Sequence, residues 1–131
     1  MKPKLCIVIS TYNDDITNQI YKSATKELDH LGFKKIETVK VPGAFEIPVT
    51  IAKLIKKFDG FIAIGCIIKG ETANFDVISK AITDGIMQLS ITHKKPIGNS
   101  IITSFNRSQA EERFDKGIEA ARAVSEVLKI K

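Results

Sequence analysis

The sequence predicts an α/β fold in three layers, with a four-stranded parallel sheet flanked by helices. Two observations carry this. Strand-like and helix-like runs alternate along the whole chain in the order βαβαβαβα, and right-handed crossovers turn such an order into a parallel sheet layered by helices. One of those runs, Gly60 to Ile68, is apolar almost throughout, the pattern of a central strand covered on both faces.

The elements follow in order. Lys4 to Ser10 reads as a short apolar strand, and Tyr12-Asn13-Asp14-Asp15 as the turn after it. A helix then runs to about Leu31, with Ile16, Ile20, Ala24, Leu28 and Leu31 at helical spacing and Gly32 as its C-cap. Lys35 to Val41 is the next strand, ended by Pro42-Gly43, and a second helix carries Ile47, Ile51, Leu54, Ile55 and Phe58 on one face. After the buried strand, Lys69 to Ala73 forms a loop and a helix continues from about Asn74 to Thr92. Pro96 opens the last strand, Ile97 to Ser104. Ser108 is expected to N-cap the final helix, with Glu111 completing a capping box. Ala110, Phe114, Gly117, Ala121, Val124 and Leu128 are expected on one continuous helix. No linker or repeat interrupts the chain, so residues 1–131 are expected to form a single flavodoxin-like domain.

Composition narrows the function classes. At 131 residues, with 44% hydrophobic and 27% charged, the chain is long enough to bury a core. It has no apolar run of about 18 residues to span a membrane, and the run from Leu5 to Ile9 is too short for a secretory signal. Cys6 and Cys66 sit inside apolar runs and belong to no CxxC or Cys/His cluster. They read as inert core residues of a reduced, cytoplasmic protein without a structural metal. The net charge of +5 comes from scattered lysines without a basic stripe or interleaved aromatics. It therefore points to a solvated surface, or to a field that draws in anionic substrates, rather than to nucleic acid.

In an open parallel sheet, ligands bind beyond the carboxyl ends of the strands. Four segments occupy those ends: Ser10 to Asn13, Val41 to Glu46, Lys69 to Asn74, and Thr103 to Asn106. Lys69-Gly70-Glu71-Thr72-Ala73-Asn74 is either an ordinary strand-to-helix loop or one whose backbone N–H groups accept a phosphate or carboxylate. Pro42-Gly43-Ala44-Phe45-Glu46-Ile47-Pro48 is compact enough for a ligand to lie against its backbone. Glu46 either offsets a helix dipole or accepts hydrogen bonds from a polyol or ring. Tyr12 is either a buried aromatic or a flat face for a heterocycle. Arg107, Arg113 and Arg122 are the only arginines. Arg113 is either a surface residue or a fork for phosphate.

Taken together, these segments resemble the 6,7-dimethyl-8-ribityllumazine synthase family. The resemblance rests on Ser10-Thr11-Tyr12-Asn13 with Ile16-Thr17, on Val41 through Pro48, and on Gly65 through Thr72 followed by Phe75-Asp76. Gln109 through Arg113 and Lys116-Gly117 extend it to the last helix. It implies condensation of 5-amino-6-ribitylaminouracil with 3,4-dihydroxy-2-butanone 4-phosphate, the penultimate step of riboflavin biosynthesis, without metal or cofactor. It further implies that Tyr12 stacks on the pyrimidine beside Asn13, and that Gly43, Ala44, Phe45 and Glu46 hold the ribityl chain and ring. Glu71 and Thr72 would bind the phosphate, joined by Arg113 from an adjacent subunit. Ile68, Lys69 and Asn99 would line the substrate site, which in this family lies between subunits of a homo-pentamer.

Some positions depart from the family pattern. The histidine expected as proton shuttle is Asn74 here, and an amide does not exchange protons near neutral pH. That removes an acid–base contribution of about 10²–10⁴-fold from this position. Reduced but real turnover is expected, because orientation of two reactive substrates remains. His30 and His93 look like surface residues at helix ends. Asn99 and Ser100 stand where the family has an aromatic and a glycine. The chain begins almost at its first core strand, so a pentamer is expected rather than a larger shell. Two alternatives remain: a non-catalytic paralogue that binds lumazine or flavin, and an archaeal-type riboflavin synthase.

Overall fold

The computed structural model describes residues 2–131. Its strands are β1 (Lys4–Ser10), β2 (Lys35–Val41), β3 (Gly60–Ile68) and β4 (Ile97–Ser104). Its helices are α1 (Asp14–His30), α2 (Ile47–Leu54), α3 (Phe75–His93), α4 (Arg107–Glu111) and α5 (Lys116–Leu128), with 3-10 turns at Ala44–Glu46 and Lys69–Glu71. All four strands pair in parallel in the order β2-β1-β3-β4, the first part of the flavodoxin-like order. The predicted α/β, three-layer architecture is the observed one.

Burial explains why the layers form. Every residue of β3 is buried, as is every residue of β1 except Lys4, so both faces of this central pair need cover. Leu5, Ile7 and Ile9 join Ile62 and Ile64 beneath Ile16, Ile20 and Leu28 of α1 and Ala121 and Val124 of α5. On the opposite face, Cys6, Val8, Phe61, Ala63 and Ile67 pack under Ile47 and Ile51 of α2 and Ile82 and Ile86 of α3. Each fully buried Leu or Ile contributes about 1.5–3 kcal/mol.

Local signals set the helix ends. Gly32 adopts φ +93° after α1, and Phe33 N donates to Leu28 O while Gly32 N donates to Asp29 O. This is the paired C-terminal closure that a residue with positive φ allows. Asn13 and Asn74, immediately before α1 and α3, are both left-handed, at φ 60° and 59°. A short polar side chain tolerates that conformation better than most.

Three details differ from expectation. The second helix ends at Leu54, and Ile55 and Phe58 reach the core from the turn that follows it. Asn106, not Ser108, caps α4: its Oδ1 accepts from Gln109 N at 3.0 Å, and Gln109 Oε1 accepts from Phe105 N at 3.1 Å. The final helix is not continuous but breaks between Glu111 and Lys116. The cap anchors α4 to the end of β4, whereas α5 is anchored on α1, so one straight axis cannot satisfy both. In the break, the Phe114 carbonyl accepts from Ser23 Oγ on α1.

Gly117 marks a close α1–α5 approach. A Cβ there would lie 2.3 Å from Ile20 O and 2.8 Å from Ala24 N, and backbone atoms yield little. Gly117→Ala is expected to lower unfolding free energy by about 1–3 kcal/mol through overpacking. Urea denaturation measures this directly, and an unchanged midpoint would contradict the packing described.

Candidate functional site

From β1 the chain leaves through α1 on one face of the sheet, and from β3 it leaves through α3 on the other. The crossovers therefore diverge between the carboxyl ends of β1 and β3, where an open α/β sheet forms its ligand crevice. The loops that follow β1, β2 and β3 border this point.

The first two loops are zipped together beyond the sheet. Thr11 N donates to Val41 O at 2.8 Å and Tyr12 N donates to Pro42 O at 3.1 Å. This holds Tyr12 at the start of the Pro42–Pro48 segment, with the residue 56% exposed, so it is a surface aromatic and not a core one. The 3-10 turn Ala44–Glu46 settles onto β3 because residue 65 is glycine: a Cβ there would meet Ala44 Cβ at 3.2 Å and Ile47 Cδ1 at 3.3 Å. The Glu46 carboxylate closes the turn by accepting from Gly43 N at 2.9 Å. Its first role is thus to fix the loop. Phe45 is displayed at 64% exposure.

The third loop leaves buried Ile68 and passes through exposed Lys69, Gly70 and Glu71 to half-buried Thr72 and exposed Asn74. Lys69 Nζ lies 5.4 Å from the centre of the Phe105 ring, which is itself 66% exposed. Asn74 accepts from Ile78 N through its backbone carbonyl, but its side chain makes no cap.

Arg107, at the start of α4, ties these loops to the end of β4. Its Nη1 donates to Asn13 Oδ1 at 2.8 Å and lies 3.6 Å from Glu71 Oε2, while its Nη2 pairs with the Asp15 carboxylate. The Arg107 hydrogen bond holds the Asp15 carboxyl below its ordinary range. Beneath the cluster, burial pushes the Cys66 thiol up to about 11, against the opposing pull of Arg107. Cys6 is likewise raised to about 11 by burial, with Glu37 adding to it. Both cysteines are therefore inert core thiols. Ser10 Oγ, Asn13 Nδ2 and Ser104 Oγ, all at strand ends, are buried without a hydrogen-bond partner among the described residues.

Tyr12, Asn13, Gly43 to Glu46, Ile68, Lys69, Glu71, Thr72 and Asn74 therefore lie on the loops at one end of the sheet. Asn99 does not join them within the chain, and Arg113 reaches the end of β4 rather than the loops after β1, β2 and β3. Asn99 pairs with Ala63 in β4, five residues short of Ser104, or roughly 16 Å at about 3.3 Å per residue. Its amide bonds to Ile101 N, and Ser100 is buried with its hydroxyl on Lys116 O at 2.8 Å. Arg113 donates to the Thr103 carbonyl at 3.4 Å, on the outer edge strand. His30 and His93 are exposed, away from the loops, as expected. Among the described residues, no group of three or more His, Cys, Asp or Glu could hold a metal ion, and no helix is long and apolar enough to cross a membrane. The sequence singles out neither Arg107 nor Asp15 as a site residue, and offers Phe105 only within the strand-end segment from Thr103 to Asn106. A rare arginine three residues beyond a strand end was the available signal.

Comparison with known proteins adds a family. The family model described as 6,7-dimethyl-8-ribityllumazine synthase matches residues 2–131. Proteins of that name are similar to this chain. The one from Methylibium petroleiphilum is 39% identical over 97% of this chain and 82% of its own length. The one from Agrobacterium fabrum is 36% identical over 99% and 95%, and the one from Desulfovibrio desulfuricans 34% identical over 97% and 87%.

The Arg107–Asp15 pair has a pH signature. A depressed folded-state carboxyl stabilises the folded form above the ordinary aspartate value of about 3.9, and the contribution is lost as pH falls through the folded value. In an NMR titration, Asp15 should titrate below that ordinary value in the native protein and return towards it in Arg107→Ala. Equal midpoints in the two proteins would show that the pair is not formed.

Proposed function

The chain belongs to the 6,7-dimethyl-8-ribityllumazine synthase family, and on that premise we propose that it is a transferase of riboflavin biosynthesis. As one domain, it condenses 5-amino-6-ribitylaminouracil with 3,4-dihydroxy-2-butanone 4-phosphate to 6,7-dimethyl-8-ribityllumazine, with loss of phosphate and water. The observation that carries this reading is the convergence of the family-like loops on the crevice between β1 and β3. Tyr12 offers its exposed ring to the pyrimidine, next to Asn13. Gly43, Ala44, Phe45 and Glu46 form a preset wall for the ribityl chain and ring, with Ile68 and Lys69 at the floor. Glu71 and Thr72 take the phosphate through their backbone.

The assembly is a homo-pentamer with sites between subunits, in the cytoplasm. Support comes from the division of residues: Asn99 lies well back along the β4 edge, and Arg113 bonds to Thr103 near the end of that strand rather than to the loops after β1, β2 and β3. A ring in which the β4 edge of one chain meets the loops of the next would unite the two sets, and such head-to-tail contacts close into rings. Val77, Met87 and Ile91 of α3, at 69%, 57% and 64% exposure, supply apolar surface for such contacts.

The reaction opens with attack of the substrate amine on the ketone carbonyl, after which protons must move from nitrogen and to the leaving oxygens. Asn74 cannot carry them, so the chain works chiefly by orientation and the rate is reduced. A second reading, a lumazine-binding paralogue without turnover, is favoured by Asn74 together with Asn99 and Ser100 and opposed by the intact Pro42–Pro48 string and Arg113.

Lumazine fluorescence, followed with both substrates present, separates the two. The protein should exceed the protein-free rate, and Asn74→His should raise kcat by about tenfold or more, the full contribution of acid–base help being about 10²–10⁴-fold. Histidine is among the residues that tolerate positive φ, so the variant should fold. Tight lumazine binding with no rate above the control would establish the paralogue instead.

A further inference from the structure

Arg107 is held by three partners from two loops and one helix: Asn13 Oδ1, the Asp15 carboxylate and Glu71 Oε2. Its side chain is 39% exposed and that of Glu71 30%, so the pair is partly withdrawn from water. A phosphate on the β3–α3 loop would approach the Glu71 carboxylate, and two anions at that range repel. Glu71 is compatible with the ligand only through its backbone, with its side chain turned away and neutralised. Arg107 Nη1, 3.6 Å from Glu71 Oε2, supplies the positive charge for this, while its hydrogen bonds to Asn13 and Asp15 hold it in place. Its planar fork reaches a carboxylate and an amide oxygen together, as a lysine ammonium cannot. Arg113, bonded to Thr103 on the outer edge, makes no such contact within the chain.

We propose that Arg107 is a positioning residue that draws the Glu71 carboxylate off the phosphate-binding loop and fixes the Asn13 side chain. The inference rests on the functional reading above, because the anion in question is the phosphate of the butanone substrate. It makes the cation of α4 responsible for anion affinity without touching the anion. The fork also couples the two subsites: with Arg107 in place, the Asn13 amide and the phosphate loop are set by one side chain.

Inorganic phosphate titrated into the assembled full-length protein by calorimetry tests this apart from turnover. Arg107→Ala should weaken phosphate binding by about tenfold or more, as for loss of a charge-assisted contact. Arg107→Ala combined with Glu71→Gln should recover most of that loss, since the carboxylate needing neutralisation has gone. A purely structural strut would show no such recovery. Arg107→Lys should lie between, and its KM for the butanone phosphate should rise more than its kcat falls. Wild-type affinity in Arg107→Ala, or no recovery in the double variant, would overturn the proposal. Should Arg107→Ala fail to fold, Glu71→Gln alone must leave phosphate binding at least as tight as in the native protein, because the carboxylate that Arg107 holds off the loop has gone, and weaker binding would be equally fatal. Phosphate binding with this pattern but no lumazine formation by the native protein would sink the enzymatic reading and leave Arg107's role standing. No phosphate binding by the native protein would overturn the role of Arg107 whatever the turnover.

Discussion

The organising constraint is that β1 and β3 are buried on both faces. A parallel pair made of Leu5 to Ile9 and Phe61 to Ile68 cannot face water on either side. Helices must therefore cover both surfaces. With crossovers of one hand, the chain can do so only by leaving β1 in one direction and β3 in the other. The crevice at their carboxyl ends is a by-product of covering the core. The loops that border it spring from the most deeply buried strands of the sheet, which suits a site that relies on orientation.

Small residues and a single arginine then set the crevice. Gly65 lets the Ala44–Glu46 turn sit directly on β3. Arg107 gathers Asn13, Asp15 and Glu71 from the α1 and α3 sides. The two strand-to-helix turns share one device, an asparagine in the left-handed conformation. At residue 74 that conformation also tolerates histidine, so proton transfer and folding are separable there.

Much of this was legible in the sequence. The unbroken apolar run of β3, the helical spacing of Ile16, Ile20, Ala24 and Leu28, and Gly32 after α1 all follow from local periodicity and backbone preference. The loop positions followed from the strand-end rule. What periodicity could not reveal was competition between distant contacts. The apolar spacing from Ala110 to Leu128 suits one helix, yet the Asn106 cap and the Gly117 contact with α1 pull it into two. Arg107 was equally opaque, because its partners lie 94, 92 and 36 residues away. Tyr12 and Phe105 gave no sign of their exposure, since an aromatic at a strand end fits a core or a surface equally well.

The proposed site is divided: loops at one end of the sheet, Asn99 and Arg113 on the β4 edge. Subunit mixing tests that division most directly. Two variants, Phe45→Ala on the loops and Arg113→Ala on the edge, are each expected to form lumazine poorly. Unfolded and refolded together, they should regain activity as intact loops meet intact edges, in about a quarter of the sites for random mixing around a head-to-tail ring. Activity no higher than that of the two variants refolded separately would contradict a site shared between chains.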